Sequence, residues 1–165
     1  MAEGMSHLDP QGRIRMVDTS GKEVTSRSAT AQAKVALSPE TAELLFGGGL
    51  EKGDALAAVR IAGVMAAKRT PDLIPLCHPL MIDAVEVQVE QAPPGAVITA
   101  TVRSTGRTGV EMEAMTAASV AALTLYDMVK GVERGVTIDW IGLIRKEGGR
   151  SGVWERRLSG GDRLR

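Results

Sequence analysis

Aromatic side chains make up only 2% of this 165-residue chain, and their scarcity excludes whole classes of function. Single-stranded nucleic acid is held by stacking bases on rings, and an RNA-binding sheet needs aromatic pairs on its surface, which two Trp, one Tyr and one Phe hardly supply. Net charge is missing too. With 20 basic against 20 acidic residues, no overall field draws the chain to nucleic acid or to a membrane surface. One cysteine forbids an internal disulfide and fits a reducing cytoplasm. No second cysteine or suitably spaced histidine stands by to complete a zinc site. No apolar run reaches the roughly 20 residues of a membrane span, and residues 1–18 carry no apolar signal core. The expectation is a single cytoplasmic domain over residues 1–165, loose at 1–12 and 158–165.

What is present is aliphatic. A core of Ala, Val, Leu, Ile and Met buries less area per residue than one with aromatic anchors, which hints at further burial between subunits. The centre of the chain is the stretch from Gly109 to Gly131. It opens with Glu111 and Glu113, runs from Ala114 to Tyr126 without a charge, and closes with Asp127 and Lys130. Small and unbranched residues favour a helix, and the lack of a polar stripe predicts burial nearly all round. Asp127 and Lys130, three apart, project from one face of the last turn, and Gly131 is placed to stop the helix in a left-handed conformation. The pair has two readings: a C-terminal ion pair of little energy, or a proton-transfer pair tuned toward neutral pH by partial dehydration.

Towards the N-terminus, residues 12–17 read as a short strand and residues 19–28 as a polar, mobile loop carrying Lys22 and Arg27. Those cations are either solvated or part of a flap that orders on an anion. Small apolar and polar residues alternate over 29–37, a strand pattern. Ser38-Pro39-Glu40 supplies a cap, a first-turn proline and an acid for a short helix. Asp54 caps a second helix ending at Lys68. Lys52 and Lys68 flank it some sixteen residues apart, roughly 24 Å at the helical rise, so a site using both draws on two subunits. Pro71, Pro75 and Pro79 exclude a regular helix and stiffen a loop that presents Cys77 and His78. By type alone, such a histidine is more often structural and such a cysteine a small buried hydrophobe.

Residues 82–90 and 96–104 form a hairpin around Pro93-Pro94-Gly95, each strand with one wet face. After the central helix, residues 136–144 make a last core strand, 145–152 a basic glycine turn, and 153–156 a short strand. The order β-α-β-β-α-β predicts an α+β, ferredoxin-like fold, an antiparallel sheet with both helices on one face. Cations at element ends comprise Lys22, Arg27, Lys52, Lys68, Arg107, Lys130, Lys146 and Arg150, and the acid–base candidates are His78, Glu111, Glu113 and Asp127. Such a set suits a small polyphosphate better than a polymer.

Six motifs carry a resemblance: Lys52-Gly-Asp, Arg60-Ile-Ala-Gly, Ala67-Lys68-Arg-Thr, Leu73-Ile-Pro-Leu-Cys-His-Pro-Leu80, Gly106-Arg-Thr-Gly-Val-Glu-Met-Glu113 and Tyr126-Asp-Met-Val-Lys130. From about residue 16 to 152 the chain resembles the cyclic pyranopterin monophosphate synthases of molybdenum-cofactor biosynthesis. The resemblance implies a ferredoxin-like subunit in a homohexamer, a trimer of dimers. It also implies a lyase that turns the cyclised GTP derivative 3',8-cyclo-7,8-dihydro-GTP into the cyclic pyranopterin phosphate and releases pyrophosphate. By similarity Asp127 and Lys130 fall on the catalytic pair, and Lys52, Lys68 and His78 on active-site positions. Leu76, Cys77, His78, Met112 and Glu113 fall on substrate-binding stretches, with Lys22, Arg27 and Lys146 as cations around the pocket; Glu111 joins this set as an acid on the same motif. Val129 replaces a cysteine common in the family, and Arg150 a common lysine. No cofactor is expected; Mg²⁺ accompanying the phosphates is left open.

Overall fold

A computed structural model describes Asp9 and residues 11–157. The chain runs through β1 (Thr25–Ala36), α1 (Pro39–Gly47), α2 (Ala55–Lys68), α3 (Thr70–Leu73), β2 (Ala84–Ala92), β3 (Gly95–Gly106), α4 (Glu111–Val129), β4 (Thr137–Glu147) and β5 (Trp154–Glu155). Every paired strand is antiparallel, in the sheet order β2-β3-β1-β4-β5. This is the expected α+β, ferredoxin-like arrangement, with β5 added at one edge.

Local sequence sets the element ends. Ser38 accepts a hydrogen bond from the Thr41 amide through Oγ, and Asp54 accepts one from the Ala57 amide through Oδ1; each satisfies an amide that the first helical turn leaves unpaired. On β1 the alternate residues Ala29, Ala31, Ala33 and Val35 are buried, facing the helices at the period of two that a strand imposes. Helix α4 packs on β1, β3 and β4 and also on α2. Small residues allow the two helices to come close: a Cβ on Gly63 would sit 3.2 Å from the Ala117 carbonyl and 3.0 Å from a Val87 methyl. The contact of Lys52, just before α2, with Asp127 at the end of α4 shows that the helices run antiparallel.

Several expectations need correction. Residues 12–17 hold only an isolated bridge at Ile14, not a strand, and the strand expected from 29 begins at Thr25, because β3 runs long enough to pair Thr25 with Gly106. Thr25–Ser28, and with them Arg27, therefore belong to the sheet rather than to a loop over 19–28. The proline segment does contain a helical turn, α3, since Pro71 falls within its first two positions, where no backbone donor is needed. Strand β4 extends to Glu147, so the basic turn starts only at Gly148. Gly131 does not adopt a left-handed conformation; α4 ends with Lys130 still right-handed, its amide bonded to the Tyr126 carbonyl. Strand β3 keeps the expected wetter face at Thr99, Thr101, Arg103 and Thr105, and only its first four residues, Gly95–Ile98, are buried on both faces. In α4 the expected burial holds for Ala114, Ala117, Ala118, Ala121, Ala122 and Leu125, but Leu123 remains exposed. The chain ends expected to be loose fall largely outside the described residues.

Candidate active site

The N-terminal end of α4 lies beside two adjoining chambers. The first, about 320 Å³, is bounded by Leu76, Cys77 and His78 from the proline segment, by Glu111, Met112 and Glu113 from the first helical turn, and by Lys22. The second, about 700 Å³, takes Arg27 from β1, Arg107 from the β3–α4 link, Lys146 from β4 and Arg150 from the glycine turn. Lys22, Thr108 and Gly109 line both. The strand ends and the helix start thus meet at one corner of the fold.

Backbone carbonyls hold the two best-placed guanidinium groups. Arg27 donates through Nε to the Gly106 carbonyl at 2.9 Å, and Arg107 through Nε to the Lys22 carbonyl at 3.1 Å. Lys146 reaches Glu111 Oε1 at 3.0 Å. Thr25 Oγ1, on the wall of the second chamber, is buried without a hydrogen-bond partner among the described residues. In the first chamber Glu113 is only 3% exposed. Burial pushes its carboxyl above the usual range, with the Glu111 charge adding to the rise against the pull of its own amide. Burial, helped by Glu113, likewise raises the Cys77 thiol. This chamber therefore disfavours added negative charge, whereas the second is built of cations.

The other end of α4 is different. Lys130 Nζ lies 2.6 Å from Asp127 Oδ1, and Lys52 Nζ lies 3.4 Å from Asp127 Oδ2 while also donating to the Asp127 carbonyl. All three side chains are roughly half exposed. The hydrogen bond and charge of Lys130, with Lys52 behind, lower the Asp127 carboxyl; the same bond raises the Lys130 ammonium. In one chain the two groups shift apart, the carboxyl down and the ammonium up, because their hydrogen bond and charges outweigh the effect of burial.

Sixteen residues of helix separate Glu111 from Asp127, roughly 24 Å at the α-helical rise. A single chain therefore gathers Leu76, Cys77, His78, Met112, Glu113, Glu111, Lys22, Arg27 and Lys146 at one corner and leaves Asp127, Lys130 and Lys52 at another. Lys68, at the far end of α2, stands at the chamber end of the molecule because the helices are antiparallel, but it is exposed and lines neither chamber. Sequence reasoning gathered Arg107 and Arg150 among the cations without placing them in a site. It missed Thr25, Thr108 and Gly109, although the run from Gly106 to Glu113 held the last two. Among the described residues no group of three or more His, Cys, Asp or Glu could hold a metal ion, and no helix is long and apolar enough to cross a membrane.

The model of the MoaC family matches residues 16–149. The chain belongs to that family. Its curated relatives include the cyclic pyranopterin monophosphate synthase of Streptomyces coelicolor, 57% identical over 152 residues, covering 92% of this chain and 89% of the relative. The protein of that name from Chloroflexus aggregans is 55% identical, covering 94% and 95%. Its counterpart in Pelotomaculum thermopropionicum is 52% identical, covering 93% and 92%. The matched stretch of the MoaC family contains every residue of both chambers except Arg150 and Ser151.

Proposed function

We propose that this chain is a cyclic pyranopterin monophosphate synthase, a cytoplasmic lyase of molybdenum-cofactor biosynthesis that converts 3',8-cyclo-7,8-dihydro-GTP to the cyclic pyranopterin phosphate and pyrophosphate. The observation that carries this reading is a high identity to proteins of that name along nearly the whole chain. The two chambers suit such a substrate: one is small and partly apolar, the other a cluster of cations of the size and sign of a polyphosphate.

In this reading Lys22, Arg27 and Lys146 hold the triphosphate and offset the charge that develops on the departing pyrophosphate. Leu76, Cys77, His78, Met112 and Glu113 seat the ring system, with His78 positioning it, and Glu111 borders the phosphates. Asp127 and Lys130 pass protons as the ring opens and recloses. They cannot reach a ligand in the chambers of their own chain, so they and Lys52 act on one held by a second copy, whose own Lys68 stands at the chamber end. A hexamer built as a trimer of dimers provides such composite sites. Covering the pair with substrate and a neighbouring chain removes the water that fixes both charges in the lone chain. No resident cofactor takes part, and any Mg²⁺ arrives with the phosphates.

The test is direct. Incubation of the purified chain with the cyclised GTP derivative should release pyrophosphate in step with appearance of the pyranopterin. Tight binding of that derivative with no pyrophosphate released would make the chain a nucleotide-binding module instead.

A further inference from the structure

The two chambers meet at the ion pair between Glu111 and Lys146. Glu111 lines the first and Lys146 the second, and neither side chain is more than about a third exposed, at 31% and 29%. Of the five cations around the second chamber, Lys146 alone is paired with a carboxylate among the described residues. The carboxylate reaches its place by folding back over Gly109, where a Cβ would lie 1.8 Å from Glu111 Oε2. Any side chain at that position would evict it. Gly109 itself faces both chambers.

We propose that Glu111 is a stand-in anion: it holds Lys146 while the cation chamber is empty and gives it up when a polyphosphate arrives. The inference rests on the function proposed above and deepens it. Exchange of partners at Lys146 links the chambers, because Glu111 lines the first beside Glu113 while Lys146 lines the second. After the reaction the exchange runs backward. Glu111 competes with pyrophosphate for Lys146 and so hastens its departure, which makes Glu111 a positioning residue acting through Lys146.

Calorimetric titration of the full chain with inorganic pyrophosphate tests this. Glu111→Gln should bind pyrophosphate about three- to tenfold tighter than the parent, the scale of freeing one partly buried ion-pair partner for a charge-assisted bond. Inhibition of turnover by added pyrophosphate should strengthen to match. The gain should vanish when Lys146→Met is also present. A gain that persists beside Lys146→Met would be a general field effect and would overturn the proposal, as would unchanged or weaker binding in a folded Glu111→Gln. If that variant does not fold, Glu111→Asp, whose shorter arm keeps the charge at the helix start but falls short of Lys146, should show the same gain, and its absence would be equally fatal. The parent's release of pyrophosphate from the cyclised GTP derivative reports separately on the proposed function, so failure of one is not read as failure of the other.

Discussion

The two ends of α4 present the same chemical groups, carboxylate and ammonium, in opposite surroundings. At the start of the helix Glu113 is 3% exposed and its carboxyl is raised by burial; at the end the Asp127 side chain is 58% exposed and its carboxyl is lowered by Lys130 and Lys52. Solvation decides the direction, since burial penalises the charged form while an adjacent ammonium in water favours it. One end is thus a walled pocket, and the other is a half-exposed ion pair that lines neither chamber.

If the division of labour is real, breaking each end should give a different kinetic signature. The largest effect belongs to Lys130→Ala, which should lower kcat about 10²- to 10⁴-fold, the usual worth of a positioned proton donor or acceptor. Its affinity for inorganic pyrophosphate should stay at the parent value, with circular dichroism unchanged. Turnover at the parent rate in that variant would remove Asp127 and Lys130 from the chemistry. Next in size is a recovery. Lys130→Ala and Lys146→Ala chains, each inactive alone, should regain activity when unfolded together and reassembled, to about a quarter of the parent if copies assort at random into composite sites. No recovery in a mixture shown by mass spectrometry to contain mixed oligomers would mean that each chain works within itself. Smaller again is Arg107→Ala. It should raise KM by about tenfold, the scale of one lost charge-assisted hydrogen bond, and leave kcat nearly untouched; a change confined to kcat would reassign Arg107 from binding to chemistry.

The same contrast marks what could be read in the sequence. Periodicity and punctuation gave the βαββαβ order and the Ser38 and Asp54 caps, because these are local effects of hydrogen bonding and of an apolar face repeating every two or 3.6 residues. The central helix was visible for the same reason. Strand length was not: Thr25–Ser28 read as loop because their polar side chains carry no apolar alternation, and only pairing with β3 makes them strand. Gly131 carried the usual stop signal, yet α4 ends without it. For the site, motif resemblance supplied residue names but no geometry. Only the antiparallel packing of α2 on α4 shows that Lys52 belongs with Asp127 and that Lys68 stands at the opposite end. The chamber shared by Arg27, Arg107 and Lys146 joins three elements distant in sequence, and no local pattern encodes it.

The finest separation of the two ends is by pH, where the expected effects are small and opposite in sign. Asp127 has its folded pKa below the ordinary 3.8, so its contribution to stability is complete above that value and is lost as pH falls through the lowered one. Glu113 has its folded pKa above the ordinary 4.5. Its folded form prefers the proton, so its contribution is complete below 4.5 and declines as pH rises through the raised value. Thermal midpoints followed across this range should therefore show Glu113→Gln flattening the decline on the less acidic side of 4.5, while Asp127→Asn removes only a loss in strong acid, a modest one because the pair is solvent-screened. Should Glu113→Gln leave the profile unchanged, the first chamber would not be dry enough to hold a proton on that carboxyl. The contrast between a buried start and a wet end of α4 would then reduce to a difference in shape rather than in electrostatics.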